Sequence, residues 1–258
     1  MIVGGGIEGV EALGEILRLL GSRPGVNIHI IDRQKHLLSF APSELHFELV
    51  KKCRDLPVDF HLETGVKKVL KRRVELSDGK SIASDMVIWT GGVIPRQDLF
   101  EWGFSDNPGQ WATTNRALQS TKFPNVFIVG DTADFTEPLE KQAYHAMDMG
   151  KMAAQNITRL ARGKKVKEFK PSSKPTLITF GHLDTFMVTN SFSLAGPGLT
   201  FAKEGVYQAV MAGFDPGWKT EKAARLAFRL SMGMQEKAFP LLLSPRELIN
   251  QGNIRIIK

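Results

Sequence analysis

The sequence predicts an α/β fold that opens on a parallel sheet, and three features near its start carry that prediction. Ile2-Val3 is an apolar strand stub that runs straight into the glycine triplet Gly4-Gly5-Gly6. Val10, Leu13, Ile16, Leu17 and Leu20 then recur at helical spacing. Val26 to Ile31 forms a second apolar run, closed by Asp32. Strand, helix and strand in that order make a βαβ unit, and a βαβ unit implies parallel strands.

The remaining elements follow from the same signals. Gly21 to Gly25, with Pro24 among them, ends the first helix by removing helical donors and favouring turns. Residues 42–53 read as a second helix with Pro42 near its start. Strands are expected at 58–62, 66–70 and 73–77, then a Ser77-Asp78-Gly79-Lys80 turn and a return strand over 81–89. Residues 93–124 are loop-rich, 126–129 read as a buried strand, and a long helix is expected over about 140–161. Strands near 176–180 and 184–189 precede a mixed α/β tail that includes the glycine-rich run at 193–198.

The turn between the first strand and helix carries the chemistry. Gly4, Gly6 and Gly9 give G-x-G-x-x-G, with Gly5, Ile7 and Glu8 between them. Gly4 permits the tight turn, Gly6 admits a pyrophosphate close to backbone, and Gly9 lets helix and strand touch. The helix start offers unpaired N–H groups and a partial positive charge to phosphate. Asp32 stands a little over twenty residues on, where a carboxylate bonds a ribose 2′-hydroxyl and repels a 2′-phosphate. The turn therefore predicts a Rossmann-like NAD(P)-binding domain. Asp32 favours NADH over NADPH, and Arg33 beside it softens that choice.

Composition narrows the alternatives. Hydrophobic residues make up 42% and charged residues 24% of 258, ordinary values for a folded domain. The net charge of +7 suits an anionic cofactor. Its basic residues are spread widely and accompany no nucleic-acid-binding pattern, so no nucleic-acid partner is expected. The densest basic run, Arg159 to Lys174, overlaps KPSSKP and reads as a solvated linker. No apolar run approaches the about 20 residues that span a bilayer. A single cysteine, Cys53, excludes an internal disulfide and fits a reducing compartment, most simply the cytoplasm. No metal site is expected, because His36, His46, His61 and His182 lack ligand spacing.

Three further segments carry a resemblance. Met86-Val87-Ile88-Trp89-Thr90-Gly91-Gly92 resembles the strand end that crosses from an NAD domain back to an FAD domain. Pro124 to Asp131 resembles the second flavin motif, and Gln142 to Gly150 resembles the helix aimed at the flavin ring. In this order they resemble the FAD-dependent pyridine nucleotide-disulfide oxidoreductases, most of all the type II NADH dehydrogenase and apoptosis-inducing-factor-like branch. The resemblance implies FAD and NAD(H) as cofactors, with Asp131 on the ribityl chain and Gly91, Gly92, Gly130 and Ala143 lining cofactor. It offers Glu11 and His145 as candidate catalytic residues. Glu11 matches a glutamate near the nicotinamide, and His145 lies where the helix approaches the flavin.

The same resemblance implies hydride transfer from NADH to FAD and on to a quinone or another small acceptor. Tyr144 and Asp148 occupy positions where quinone-facing glutamines are expected, which leaves the acceptor open. Only three residues precede Gly4, so the chain reads as a fragment that lacks the N-terminal FAD-binding half. The expected division is 1–92 as the NAD(P)-binding domain, 93–172 as the rest of the FAD-binding domain, and 173–258 as a small α/β domain. The alternative is an NAD(H)-binding module without turnover. Residues 221–234 are amphipathic and basic, which raises peripheral attachment to the inner face of a membrane. A homodimer also stays open.

Overall fold

The computed structural model describes residues 1–21, 23–189, 192–196, 198–214 and 254–257. The amphipathic stretch at 221–234 lies outside the described residues. Two compact units emerge: residues 1–92 together with 173–258, and residues 93–172.

The first unit begins β1 (Ile2–Val3), α1 (Ile7–Leu20), β2 (Ile28–Ile31), α2 (Ser43–Lys52) and β3 (Val58–His61). An antiparallel meander of β4 (Val66–Val69), β5 (Arg73–Leu76) and β6 (Ser81–Ala83) follows, then β7 (Ile88–Trp89). The parallel sheet runs β3-β2-β1-β7, so the first strand sits inside, between β2 and β7. Ile2 pairs with both Ile30 and Ile88. Parallel strands buried on both faces need apolar residues on both, which is why β2 reads IHII. Val10, Leu13 and Leu17 put one stripe of α1 into the core, with Ile2, Ile28 and Ile30 from the sheet beneath.

The expected single strand over 81–89 is two strands. Ile82 pairs with Val74 in the meander, whereas Ile88 pairs with Ile2 in the parallel sheet. Ser84 marks the break: its hydroxyl donates to Met86 O (2.9 Å) and its amide to Arg72 O (3.0 Å). The stretch expected as one strand thus changes sheet across Ser84-Asp85.

The C-terminal part of this unit is an antiparallel sheet of β10 (Thr176–Phe180), β11 (Asp184–Val188), β12 (Ser193–Ala195) and β13 (Arg255–Ile257). Phe180 and Phe186 are fully buried and join the core of α1 and α2. Helix α1 lies on β10 so closely that an ideal Cβ on Gly14 would stand 2.3 Å from Gly181 N. Between α2 and this sheet, the Asp184 side chain is 1% exposed and meets Lys52 (2.8 Å) and Arg255 (2.7 Å). A buried carboxylate needs such partners to stay charged. Helix α5 (Gly198–Phe214) packs against β11 and β10.

In the second unit, α3 (Asp98–Glu101) and β8 (Ala112–Thr113) lie in the loop-rich stretch, and β8 pairs in parallel with β9 (Ala133–Asp134). Helix α4 (Ala143–Ala161) buries Met149 against Leu118, Ile128 and Phe135. Residues 126–129, expected as a buried strand, form no named strand. Ser120 N donates to Val126 O (2.8 Å) and Ile128 N to Leu118 O (2.9 Å), so an irregular loop takes their hydrogen bonds. Only Ile128 of the four is buried. The basic stretch after α4 is pinned rather than solvated throughout. Asn156, fully buried, holds Lys167 by its O and its N at 2.8 Å each, and Phe169 packs edge-on against Phe135.

Candidate dinucleotide cleft and second pocket

A cleft of about 350 Å³ opens where the parallel strands end, lined by residues of β1, β2, β7 and the turns that follow them. That is where open α/β sheets bind ligands. Gly4 has φ of +113°, and a Cβ there would lie 2.4 Å from Thr90 O. A Cβ on Gly9 would fall 1.8 Å from Gly4 O, so α1 starts in direct contact with the turn. Thr90 Oγ1 donates to Val3 O (3.0 Å) and lies 3.2 Å from Gly4 O, fastening β7 to the same turn. Gly6 differs. A Cβ there would meet protein no nearer than 4.0 Å, at Glu8. Protein packing leaves room at Gly6, and a bound diphosphate would use it.

Gly6 caps α1 without any side-chain bond to the helix. The first amides of a helix lack internal acceptors and bear positive charge, which suits an anion. Asp32 lies on the wall of the cleft. One of its oxygens accepts a short hydrogen bond from Gly5 N, the other accepts from Gln34 N at 2.6 Å. Arg33 is exposed, with its side chain laid over Gly65. Gly4, Gly5, Gly6, Glu8, Asp32, Arg33, Gly91 and Gly92 all line this one cleft. Ile7 lies in the first turn of α1 and packs on the core. Sequence reasoning missed Thr64, Gly65 and Trp89, which also line the walls. Their only signal is position, at strand ends on the same edge of the sheet.

Glu11 is elsewhere. Its Oε1 accepts from Thr179 N (2.9 Å) and Thr179 Oγ1 (3.1 Å) and is ion-paired with Lys203. It clips α1 to β10 and α5, and it does not line the cleft.

The second unit holds a pocket of about 240 Å³. Gly130, with φ of +70°, begins a short 3-10 turn that presents Asp131, exposed, at its rim. The start of α4 forms another wall with His145 and Ala146, and its cap Gln142 makes no side-chain bond to the helix. Ala143 is the first residue of that helix. His145 is buried, its ring 4.8 Å from that of Tyr144. Lys141 and Trp111, both unforeseen, stack with the ammonium 3.8 Å from the ring centroid, and Lys141 also donates to Asp131 O. Burial lowers the Lys141 pKa, against the opposing pull of Asp131 and Asp134. Carboxylate, helix start and ammonium together suit a ligand with sugar hydroxyls and phosphate.

Cys53 is buried and lines neither pocket. Burial raises its thiol pKa to about 11, which keeps it protonated and inert. No group of three or more metal-ligating side chains occurs among the described residues.

Fold and cleft define a Rossmann-like protein of the dinucleotide-binding class. The family is equally plain: residues 1–150 match the pyridine nucleotide-disulphide oxidoreductase model, over half the chain, and the chain belongs to that family. Ferroptosis suppressor protein 1 of Taeniopygia guttata is 26% identical over 222 residues, covering 79% of this chain and 56% of that protein. The type II NADH:quinone oxidoreductase of Haemophilus influenzae is 24% identical over 209 residues, covering 74% and 47%. The chain spans about half the length of the curated relatives it matches. A structure of NDH2 from Plasmodium falciparum in complex with NADH superposes with a TM-score of 0.71 at 12% identity. It covers 90% of this chain and 64% of that one, a likeness of fold.

Proposed function

We propose that the cleft of residues 1–92 binds NADH and that the pocket of residues 93–172 belongs to a flavin site, in an NADH dehydrogenase-like oxidoreductase. The observation that carries the first half is the open space at Gly6, flanked by the bare start of α1 and the Asp32 carboxylate. The amides of that helix start would hold the pyrophosphate, and Asp32 the adenosine ribose. Arg33, laid over Gly65, would border the 2′ position. Asp131 and the start of α4 would hold FAD, as the flavin-motif resemblance implies. When both are bound, the cofactors supply the chemistry, hydride passing from nicotinamide to flavin and electrons onward to a quinone or another small acceptor.

The chain's own side chains bind and orient. Glu11 acts in this reading by fixing α1, whose first turn is the phosphate cradle. His145 lies on the pocket wall, where an imidazole can hold or move a proton near the flavin. Names of relatives that act on quinone support that acceptor. Contact with the inner face of a membrane would be peripheral, since no described helix is long and apolar enough to cross one.

Calorimetric titration of the 258-residue protein with NADH tests the cleft, and quenching of FAD fluorescence tests the pocket. Saturable binding of both is expected, and no heat with NADH removes the proposal. A second reading, NADH binding without turnover, is favoured by the completeness of the cleft within residues 1–92. Binding of NADH without oxidation in the presence of FAD and a soluble quinone would select it.

A further inference from the structure

The wall of the cleft between Asp32 and α2 contains no regular element, yet it touches the glycine turn twice. Leu38 N donates to Gly5 O at 2.8 Å, and Leu37 Cδ2 would lie 2.6 Å from a Cβ on Gly5. Leu38 adopts φ of +51°, a left-handed conformation that a leucine keeps only when its surroundings enforce it. A further contact reaches this wall from α2. Leu37 N donates to Nδ1 of His46, 3.3 Å away, and His46 is buried at 7% exposure. The His46 ring lies 4.9 Å from that of His36, which lines the cleft, and 5.3 Å from that of Phe47.

An imidazole nitrogen accepts a hydrogen bond only through its lone pair, so the bond from Leu37 requires neutral His46 with its proton on Nε2. A second proton would turn Nδ1 into a donor facing another donor. We propose that His46 is a positioning residue for the dinucleotide: its neutral ring, acting through the Leu37 amide, holds the cleft wall against the glycine turn, and protonation releases that wall. The inference rests on the cleft being the NADH site. Burial, and then the charge of His36, lowers the His46 pKa from its ordinary 6.5, which keeps the acceptor in place at neutral pH. His36 from the loop is the titratable group that acts on it. Further along α2, Lys52 and Glu48 are engaged by Asp184 and Arg255.

The test pairs a ligand-free readout with a binding one. The amide signals of Leu37 and Leu38 are followed by nuclear magnetic resonance from about pH 8 to about pH 5. NADH affinity is measured by nicotinamide fluorescence at the two ends of that range. In the wild type, both amides should shift in one titration below 6.5, and the NADH Kd should rise by up to about tenfold per pH unit below the midpoint. His46→Asn places a non-titrating acceptor near the Nδ1 position. It should hold the Leu37 signal still and keep Kd flat across the range. His46→Leu, apolar and of similar size, should bind about tenfold more weakly even at the alkaline end. A His46→Asn protein that loses NADH on acidification as the wild type does overturns the proposal, and so does a Leu37 amide that never moves. A wild type whose amide titrates but which binds no NADH at either end overturns instead the assignment of the cleft, and with it the binding half of this inference.

Discussion

The two pockets of this molecule are built on opposite terms. The cleft of residues 1–92 is shaped by backbone meeting backbone: Gly9 on Gly4, Gly4 on Thr90, Leu38 on Gly5. The pocket of residues 93–172 is shaped by side chains, Lys141 over Trp111 and Asp131 at an exposed rim, on strands of two residues each. Backbone contacts leave no rotamer to relax, so the glycine turn of the cleft is preformed and unforgiving. Side-chain walls can rearrange, and their losses should be graded.

Gly9→Ala should break the cleft outright. Its Cβ would fall 1.8 Å from a carbonyl oxygen, so destabilisation of about 3 kcal/mol or more is expected, with loss of NADH binding. Thermal denaturation and fluorescence titration check both. Asp32→Ala removes an acceptor for two backbone amides, and a drop in NADH affinity of about thirtyfold should accompany a narrower preference over NADPH. Gly6→Ala sharpens the contrast. With no protein atom closer than 4.0 Å to the new methyl, stability should change by only about 0.5 kcal/mol, while NADH affinity falls about tenfold. A Gly6→Ala protein that binds NADH normally would show that no ligand occupies the space. Asp131→Ala, on the side-chain-built pocket, should weaken FAD by a factor of about ten and leave NADH titrations unchanged.

Sequence made the first region readable and the second much less so. The glycine turn and Asp32 are adjacent in space because βαβ geometry brings the end of β2 beside the end of β1, a local rule. The strands Thr176–Phe180 and Asp184–Val188 were legible as short runs, but their pairing as a hairpin was not read from the sequence. Thr90 and Gly65 reach the cleft through pairings that no local pattern encodes. The run at 81–89 was read as one strand although Ser84-Asp85 interrupts it, and its two ends pair in different sheets. Residues 126–129 are apolar enough for a strand, but their hydrogen bonds go to the loop at 118–120. Glu11 shows the deeper limit. Its place in the glycine motif says nothing of Thr179 or Lys203, which fold back from the far end of the chain.

The meeting of Gly14 with Gly181 has a consequence for biosynthesis. The apolar stripe of α1 is roofed by β10, and the eighty residues of the other unit are translated in between. At roughly 10 residues per second, a nascent α1 waits on the order of fifteen seconds for its cover. Throughout that interval Leu13 and Leu17 lack part of their native shelter, and chaperones have a defined window in which to engage the emerging polypeptide.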